Sequence, residues 1–277
     1  MIELGKTQEL EIVRTKEFGV YLSEKAGDEA AVLLPKKQVP AGAKIGDKMT
    51  VFIYKDSSDR LIATTGTPKL ELGQCAVLEV KDVAKIGAFL DMGLEKDLLL
   101  PFKEQNHKVR QGENCLVALY VDKSQRLAAT MNVYSYMSAE SPYKKDDKVQ
   151  GTIYEINENL GAFVAVDNRY YGLIPKKELY GDFHLGDVIE ARVVKVRDDG
   201  KLDLSPRQKA YMQMDEDAEL VLKVIDEFDG VLPFNDKARP ETILREFHMS
   251  KNAFKRAVGH LLKEGKIRIT EKTIERV

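Results

Sequence analysis

Three short stretches of the sequence place an aromatic side chain two residues after a glycine, with aliphatic residues on either side of the ring. The stretches are GVYLSE from Gly19, GAFLDM from Gly87 and GAFVAV from Gly161, which carry the rings of Tyr21, Phe89 and Phe163. Alternate residues of a β-strand point to opposite faces, so each ring shares its face with a small or polar residue. This pattern predicts outward rings that can stack on nucleobases. The competing interpretation is that the rings pack beneath a neighbouring module.

These stretches belong to a longer repeat, because the three glycines recur at intervals of roughly seventy residues. Three further landmarks follow each glycine in the same order: an apolar pair before a proline, a glycine before an acidic residue, and a short ending that begins with a basic residue. The endings are RLIAT from Arg60, RLAAT from Arg126 and KLDLS from Lys201. Four landmarks in one order predict three repeated units, which we place at 1–70, 71–140 and 146–211.

Each unit has the composition of β-strands separated by turns. Segments such as MTVFIY (49–54) and CLVALYV (115–121) are rich in β-branched and aromatic residues, and DSSD (56–59) is typical of a turn. Roughly seventy residues accommodate five strands of about six residues with their loops, which is the size of a small OB-type barrel. The sequence therefore predicts three tandem barrels.

The last segment, 216–277, has helical periodicity instead. After a linker around 214–216, apolar residues recur at helical spacing. Pro240 can begin a second helix, and Ser250 can cap a third. The tail GKIRITEKTIERV, from Gly265, predicts a hairpin. This order is that of a winged helix, so the predicted fold class is mainly β with a C-terminal α+β domain.

Charge is segregated within this segment, although the net charge of the whole chain is only −2. Residues 237–277 contain eleven basic and five acidic residues. A helical projection places Asn252, Arg256 and Lys263 opposite the apolar stripe of the third helix. Such a face could contact phosphates or base edges. An ordinary solvated helix face is the alternative.

The sequence lacks the groupings that catalysis would need. Its two cysteines and four histidines show no metal-ligand spacing, and no glycine-rich phosphate loop occurs. We therefore expect no enzyme activity, no metal and no cofactor. The start of the sequence has no apolar run suited to a signal peptide, and no stretch approaches the ~18 apolar residues of a membrane span. We expect a cytoplasmic protein without membrane contact.

The third unit, GTIYEINENLGAFVAVDNRYYGLIPKKEL, closely resembles the S1-type RNA-binding OB repeat of the ribosomal small subunit and of several ribonucleases. The first two units resemble it more loosely. In that family, one aromatic residue before the glycine and one after it form a stacking face for RNA bases. The corresponding positions hold Phe18 with Tyr21, Ile86 with Phe89, and Leu160 with Phe163.

The resemblance also implies an acidic and a basic residue in the turn before the last strand of each unit. The basic residues are Arg60, Arg126 and Lys201. Asp56 and Asp122 precede the first two by four residues, whereas Arg197 takes that place in the third unit. The histidine that the family carries after its third strand is replaced by prolines at 35, 101 and 175.

Three S1-like barrels followed by a winged helix resemble the conserved virulence factor B family of Gram-positive bacteria. The resemblance implies a cytoplasmic RNA-binding regulator that influences the expression of virulence-related genes. Three functions stay open from the residues themselves: a binder of single-stranded RNA, a regulator that contacts DNA through its winged helix, and an adaptor that docks on other proteins or the ribosome.

Overall fold

In a computed structural model of the chain, the backbone is described for residues 1–25, 30–179, 183–206 and 210–277. The chain divides into two compact units, Met1–Pro206 and Arg207–Val277. The first unit is built of β-strands, and the second combines helices with a small sheet. The mainly β fold class with a C-terminal α+β domain is therefore confirmed.

The first unit consists of three five-stranded barrels in tandem. The strands of the first barrel are β1 (Thr7–Lys16), β2 (Gly19–Ser23), β3 (Val32–Pro35), β4 (Lys48–Lys55) and β5 (Leu61–Thr64). Those of the second are β6 (Cys75–Ala84), β7 (Gly87–Leu90), β8 (Leu98–Pro101), β9 (Asn114–Val121) and β10 (Leu127–Thr130). Those of the third are β11 (Lys148–Asn157), β12 (Gly161–Val166), β13 (Tyr170–Pro175), β14 (Val188–Val196) and β15 (Leu202–Ser205).

The barrels share one topology. The first closes in the order β1-β2-β3-β5-β4 and the third in the equivalent order β11-β12-β13-β15-β14. The second has the order β10-β9-β6-β7-β8 and is nearly closed. A short 3-10 helix follows the third strand in each barrel, and these helices are Lys36–Gln38, Phe102–Glu104 and Lys176–Glu178. Equivalent residues of the three barrels can therefore be compared strand by strand.

Aliphatic residues on the ring-bearing strands fix which face of each strand is turned inward. They are Val20 and Leu22, Ala88 and Leu90, and Ala162 and Val164, and all six are buried in the cores of their own barrels. Full burial of a valine or leucine side chain contributes roughly 1.5–3 kcal/mol, so this face is strongly determined. Because side chains alternate, the rings between them point out of their own barrels.

The glycine before each ring is required by the close approach of the neighbouring strand. A β-carbon on Gly19 would lie 2.2 Å from the carbonyl oxygen of Leu34, and one on Gly161 would lie 2.0 Å from that of Ile174. Gly161 also has a φ of 121°, which residues with a side chain rarely adopt. A larger residue would push the second and third strands apart.

Apolar contacts join neighbouring barrels. Phe52 of the first barrel is buried in the cluster that forms the core of the second. Between the second and third barrels, Leu116 and Ala118 of β9 pack with Tyr154 and Ala165 of the third in a separate cluster. Some outer strand faces are therefore covered by the next barrel.

The second unit has the order of a winged helix. Its elements are α1 (Ala210–Glu227), β16 (Val231–Leu232), α2 (Pro240–Phe247), α3 (Lys251–Lys263), β17 (Ile267–Ile269) and β18 (Ile274–Arg276), with sheet order β16-β18-β17. Pro240 is the first residue of α2, and the Ser250 hydroxyl accepts the N–H of Ala253 at 3.2 Å. Both predicted helix starts and the final hairpin are confirmed, whereas β16 was not predicted.

The linker predicted around 214–216 was wrong, because α1 already includes these residues from its start at Ala210. The acidic cluster in this stretch resembles a solvated connection. Its alanine, methionine, glutamine and glutamate residues nevertheless have good helix propensity, and this propensity favours continuation of the helix.

Candidate nucleic-acid interface

The ring face of the first barrel is open. Phe18 lies just before β2 and is 57% exposed, and Tyr21 on β2 is half-buried. Their ring centroids are 6.3 Å apart, with an interplanar angle of 78°. An edge-to-face pair is a favourable aromatic geometry. It leaves two differently oriented ring surfaces at the same end of one strand.

Arg14 adds a positive charge to these rings. An irregularity in β1 between Ile12 and Arg14 shifts the register so that Arg14 stands opposite Tyr21. The guanidinium carbon lies 4.6 Å from the centroid of the Tyr21 ring. A guanidinium over an aromatic face is attracted by the ring quadrupole and remains able to pair with a phosphate. Sequence reasoning missed Arg14, because the shift in register cannot be located from the sequence.

The other two barrels carry the opposite charge at this position. The same shift occurs in β6 and β11. It places the carboxylate of Asp82 opposite Phe89 and that of Glu155 opposite Phe163. Both carboxylates are exposed, so these two ring faces carry a negative charge where the first carries the positive charge of Arg14. The three ring faces are therefore electrostatically unequal.

Phe163 differs further, because it lies beside the contact between the second and third barrels. Its ring packs against the apolar cluster that joins the second and third barrels. The ring centroid lies 6.2 Å from that of Tyr154, another residue of this cluster. Phe163 therefore points out of its own barrel and lies against a cluster to which the neighbouring barrel contributes. The equivalent Phe89 of the second barrel is half-buried.

An unpredicted ring lies on the second barrel. Phe102 directly follows Pro101 and is 48% exposed. The strand register pairs Gly87 with Pro101, so Phe102 lies beside Ile86, the position where the first barrel has Phe18. The sequence signal for Phe102 was an aromatic residue directly after the repeated proline, where the other two units have lysine.

The predicted basic residues lie in turns, but they have different partners. Arg60 donates two hydrogen bonds to one carboxylate oxygen of Asp56, from Nε at 2.9 Å and Nη2 at 2.8 Å. Hydrogen bonds from the Arg60 backbone N–H and side chain lower the pKa of Asp56. The Arg60 side chain remains largely exposed, and a surface pair of this kind contributes little to stability.

Arg126 lies beside Asp122, to which its backbone N–H donates at 3.0 Å, but its guanidinium contacts the first barrel. Its Nε and Nη2 donate to the two carboxylate oxygens of Asp59 at 2.5 and 2.7 Å. This hydrogen bonding lowers the pKa of Asp59. Asp122 accepts hydrogen bonds from the backbone of its own turn instead. The contact across the two barrels depends on their packing, which the sequence does not display.

Lys201 of the third barrel also has an acidic partner. Asp199 lies 3.2 Å from its Nζ, so the carboxylate stands two residues before the lysine rather than four. Two rings that the sequence analysis missed, Tyr134 and Tyr171, lie close to the same ammonium group.

The predicted face of α3 is exposed. Asn252, Arg256 and Lys263 all lie on its solvent side, and Phe254, Val258 and Leu261 pack into the core of the second unit. Neither Arg256 nor Lys263 makes an ion pair with a described residue. The face is therefore free to meet a polyanion.

The two cysteines are poor nucleophiles. Burial raises the pKa of the Cys75 thiol to about 11 and that of Cys115 to about 12, so both stay protonated near neutral pH. Across the described residues, no group of three or more His, Cys, Asp or Glu side chains could hold a metal ion. Nor does the described part of the chain contain a helix with the length and apolar character needed to span a membrane.

Three protein families match the chain in order. The S1 domain family matches residues 4–66 and 72–132. The second domain of the virulence regulatory factor CvfB matches residues 134–208, and the CvfB-like winged helix domain matches residues 219–275. The S1 and winged-helix families are nucleic-acid-binding domains and not enzymes.

Similarity to individual proteins extends over nearly the whole chain. The uncharacterized protein YitL of Bacillus subtilis is 30% identical over 95% of this chain and 90% of its own length. Conserved virulence factor B of Staphylococcus aureus strain N315 is 27% identical over 99% of this chain and 96% of its own. A crystal structure of a multidomain protein with nucleic acid binding domains from Streptococcus pneumoniae covers 99% of this chain and 98% of its own, at 24% identity and a TM-score of 0.49.

Proposed function

The chain belongs to the conserved virulence factor B family, and from that premise we propose that it is a cytoplasmic RNA-binding regulator that influences the expression of virulence-related genes. Its ligand is single-stranded RNA, held by stacking of bases on aromatic rings and by basic side chains on phosphates. The S1 domain matches support a nucleic-acid ligand. A single strand is favoured over a duplex because its unstacked bases are free to stack on protein rings.

The arrangement of Phe18, Tyr21 and Arg14 on the first barrel carries this proposal. Two exposed or half-exposed rings and a guanidinium lie within one small area. A base stacked on an aromatic ring contributes about 1–3 kcal/mol, and the adjacent cation can contact the phosphate of the same nucleotide. Stacking does not depend on base identity, so we expect little sequence preference at this site.

Further basic groups of the first barrel extend the proposed path. Arg60 can exchange its exposed carboxylate partner for an RNA phosphate at little cost. Lys36 lies next to Phe18, because its N–H donates to the Phe18 carbonyl oxygen at 3.0 Å. The proposal therefore places phosphates near Arg14 and Lys36, and Arg60 offers a further contact in the turn before β5.

The remaining barrels have more limited roles in this proposal. Phe89 and Phe102 offer rings on the second barrel, although Asp82 opposes a nearby phosphate. Arg126 joins the first two barrels through Asp59. The contacts of Phe163 favour packing over base binding. The first barrel is thus the main contributor to affinity.

A second candidate function is DNA binding by the winged helix. The exposed Asn252, Arg256 and Lys263 face of α3 favours it, together with the excess of basic residues after 236. A winged helix can place such a helix in the major groove, with basic side chains on the phosphates.

Titration of the full chain with labelled nucleic acids discriminates between these functions. We would measure fluorescence anisotropy with oligouridine RNA of about a dozen nucleotides, the matching single-stranded DNA and a DNA duplex. Salt would be varied from about 50 to 200 mM. We expect binding of single-stranded RNA that weakens steeply with salt, and weaker binding of the duplex. A double variant, Arg256→Gln with Lys263→Gln, should leave RNA affinity nearly unchanged.

Two outcomes would contradict the RNA proposal. Tighter binding of the duplex, lost in the α3 variant, would favour DNA regulation by the winged helix. The absence of salt-sensitive binding to all three probes would contradict both nucleic-acid functions and would favour an adaptor that docks on proteins.

A further inference from the structure

A pair of tyrosine rings lies on the outer side of the third barrel, beside the strand that carries Phe163. Tyr171 is on β13, and Tyr134 belongs to the connection that enters this barrel. Their ring centroids are 4.8 Å apart, with an interplanar angle of 50°. The Tyr171 hydroxyl donates to the carbonyl oxygen of Tyr134 at 2.8 Å, which fixes the orientation of the Tyr171 ring. Tyr134 nevertheless remains 51% exposed.

The connection that carries Tyr134 is held firmly against the third barrel. The Ser138 N–H donates to the Arg169 carbonyl oxygen at 2.8 Å, and Ser138 forms a parallel bridge with Tyr170. Ala139 packs closely on the turn before β15, since a β-carbon on Gly200 would lie 2.3 Å from the Ala139 carbonyl oxygen. Tyr134 is therefore positioned before any ligand arrives, which lowers the entropic cost of binding.

Lys201 places a positive charge beside both rings. Its Nζ lies 5.3 Å from the centroid of Tyr171 and 5.8 Å from that of Tyr134. Hydrogen bonds with Tyr134 and Asp199 raise the pKa of Lys201, so its ammonium group is charged near neutral pH. Asp199 is exposed, and its pairing with Lys201 can be exchanged for pairing with a stronger anion.

Packing alone does not account for this arrangement. A ring that served only to anchor the connection would gain most by full burial, yet Tyr134 keeps half of its surface in water. The combination of a preset ring surface and an adjacent ammonium is that of a base-stacking site with a phosphate contact. The Phe163 position of the same barrel is less suited to such a site, because the carboxylate of Glu155 stands opposite it.

We propose that Tyr134, Tyr171 and Lys201 form a second binding site for single-stranded RNA, in which a base stacks on the exposed face of Tyr134 and its phosphate pairs with Lys201. This inference rests on the proposed function, because it assigns a further segment of the same ligand to the third barrel. Two linked sites on one flexible strand would raise the overall affinity above that of either site.

The test compares full-length variants in oligouridine titrations, with an oligonucleotide long enough to span both sites. Tyr134→Ala should lower the affinity about tenfold, which corresponds to the loss of one stacked base. Tyr134→Phe retains the ring and should bind within about twofold of the original protein. Val188→Ala is the matched control, because it removes exposed apolar surface from another strand of the same barrel and should leave binding unchanged.

Ultraviolet crosslinking of the unaltered protein to the same RNA, followed by peptide mass spectrometry, provides a second measurement that does not depend on variant folding. Crosslinks at Tyr134 or Tyr171 are expected. Crosslinks confined to the first barrel, with equal affinity for Tyr134→Ala and the unaltered protein, would overturn this site while leaving the proposed function intact. If the unaltered protein bound no single-stranded RNA, the proposed function itself would fall.

Discussion

The rings of Tyr21 and Phe163 occupy the same place in two barrels of the same topology. Each follows a glycine that the neighbouring strand approaches closely, and each points out of its own core. Their surroundings differ in two respects, because Arg14 stands opposite one ring and Glu155 opposite the other. Among the described contacts, only Phe163 also packs against a cluster shared with an adjoining barrel.

This difference shows that the repeated motif determines where a ring is placed but not what the ring does. The position follows from the barrel fold, since the glycine and the aliphatic row are needed for closure. The role of the ring depends on which residue stands opposite it on the paired strand and on contacts with the neighbouring barrel. A repeat protein can therefore keep three similar strands and assign binding to one of them and packing to another.

The largest expected effect is a difference in stability between variants that lack one ring or the other. Phe163→Ala should lower the free energy of unfolding by about 2 kcal/mol, because it leaves a cavity in the contact between the second and third barrels. Tyr21→Ala should cost about 1 kcal/mol or less, since it removes mainly surface contacts with Phe18 and Arg14. Urea denaturation followed by circular dichroism measures both. Equal losses for the two variants would contradict the assignment of Phe163 to packing.

Much of the fold could be predicted from the sequence because its signals are local. Strand alternation placed the aliphatic row inside, and the starts of α2 and α3 followed from Pro240 and Ser250. The need for a glycine before each ring is also local, because the neighbouring strand of the same barrel approaches too closely at this position to leave room for a side chain. Such features depend on residues within one barrel or one helix.

The surroundings of the rings could not be predicted in this way, because they depend on contacts between distant parts of the chain. The cluster against which Phe163 packs includes residues of β9, and the partner of Arg126 is Asp59 in another barrel. The position of Arg14 depends on a shift of register within β1. Tyr134 lies after the last landmark of the second predicted unit, where no repeated feature drew attention to it.

A smaller effect is expected in the RNA affinity of variants that lack one ring or the other. Tyr21→Ala should weaken the affinity for oligouridine by about 1.4 kcal/mol, or about tenfold, because one stacking surface is lost. Tyr21→Phe retains this surface and should bind nearly as well as the unaltered protein. Phe163→Ala, measured at a temperature where it stays folded, should change the affinity less than twofold. A larger loss for Phe163→Ala than for Tyr21→Ala would reverse the comparison between the two barrels.

The smallest effect concerns the charge opposite each ring. Arg14→Gln should weaken RNA binding about threefold at low salt. The slope of the logarithm of affinity against the logarithm of salt concentration should also become shallower by about 0.7. A change of this size is expected for the loss of one phosphate contact to a single strand. The Tyr21 ring remains in this variant, so the stacking contribution should persist at high salt, where the two proteins should converge.

Glu155→Gln is the matched control for this charge, since Glu155 occupies the same register position in the third barrel. Removing its negative charge eliminates a repulsion but provides no contact, and the Phe163 ring packs against the cluster shared by the second and third barrels. We therefore expect an increase in affinity of less than twofold and an unchanged salt slope. If Glu155→Gln raised affinity as much as Arg14→Gln lowered it, RNA would approach both barrels equally. The ring faces of the first and third barrels would then differ in their packing contacts but not in whether they bind RNA.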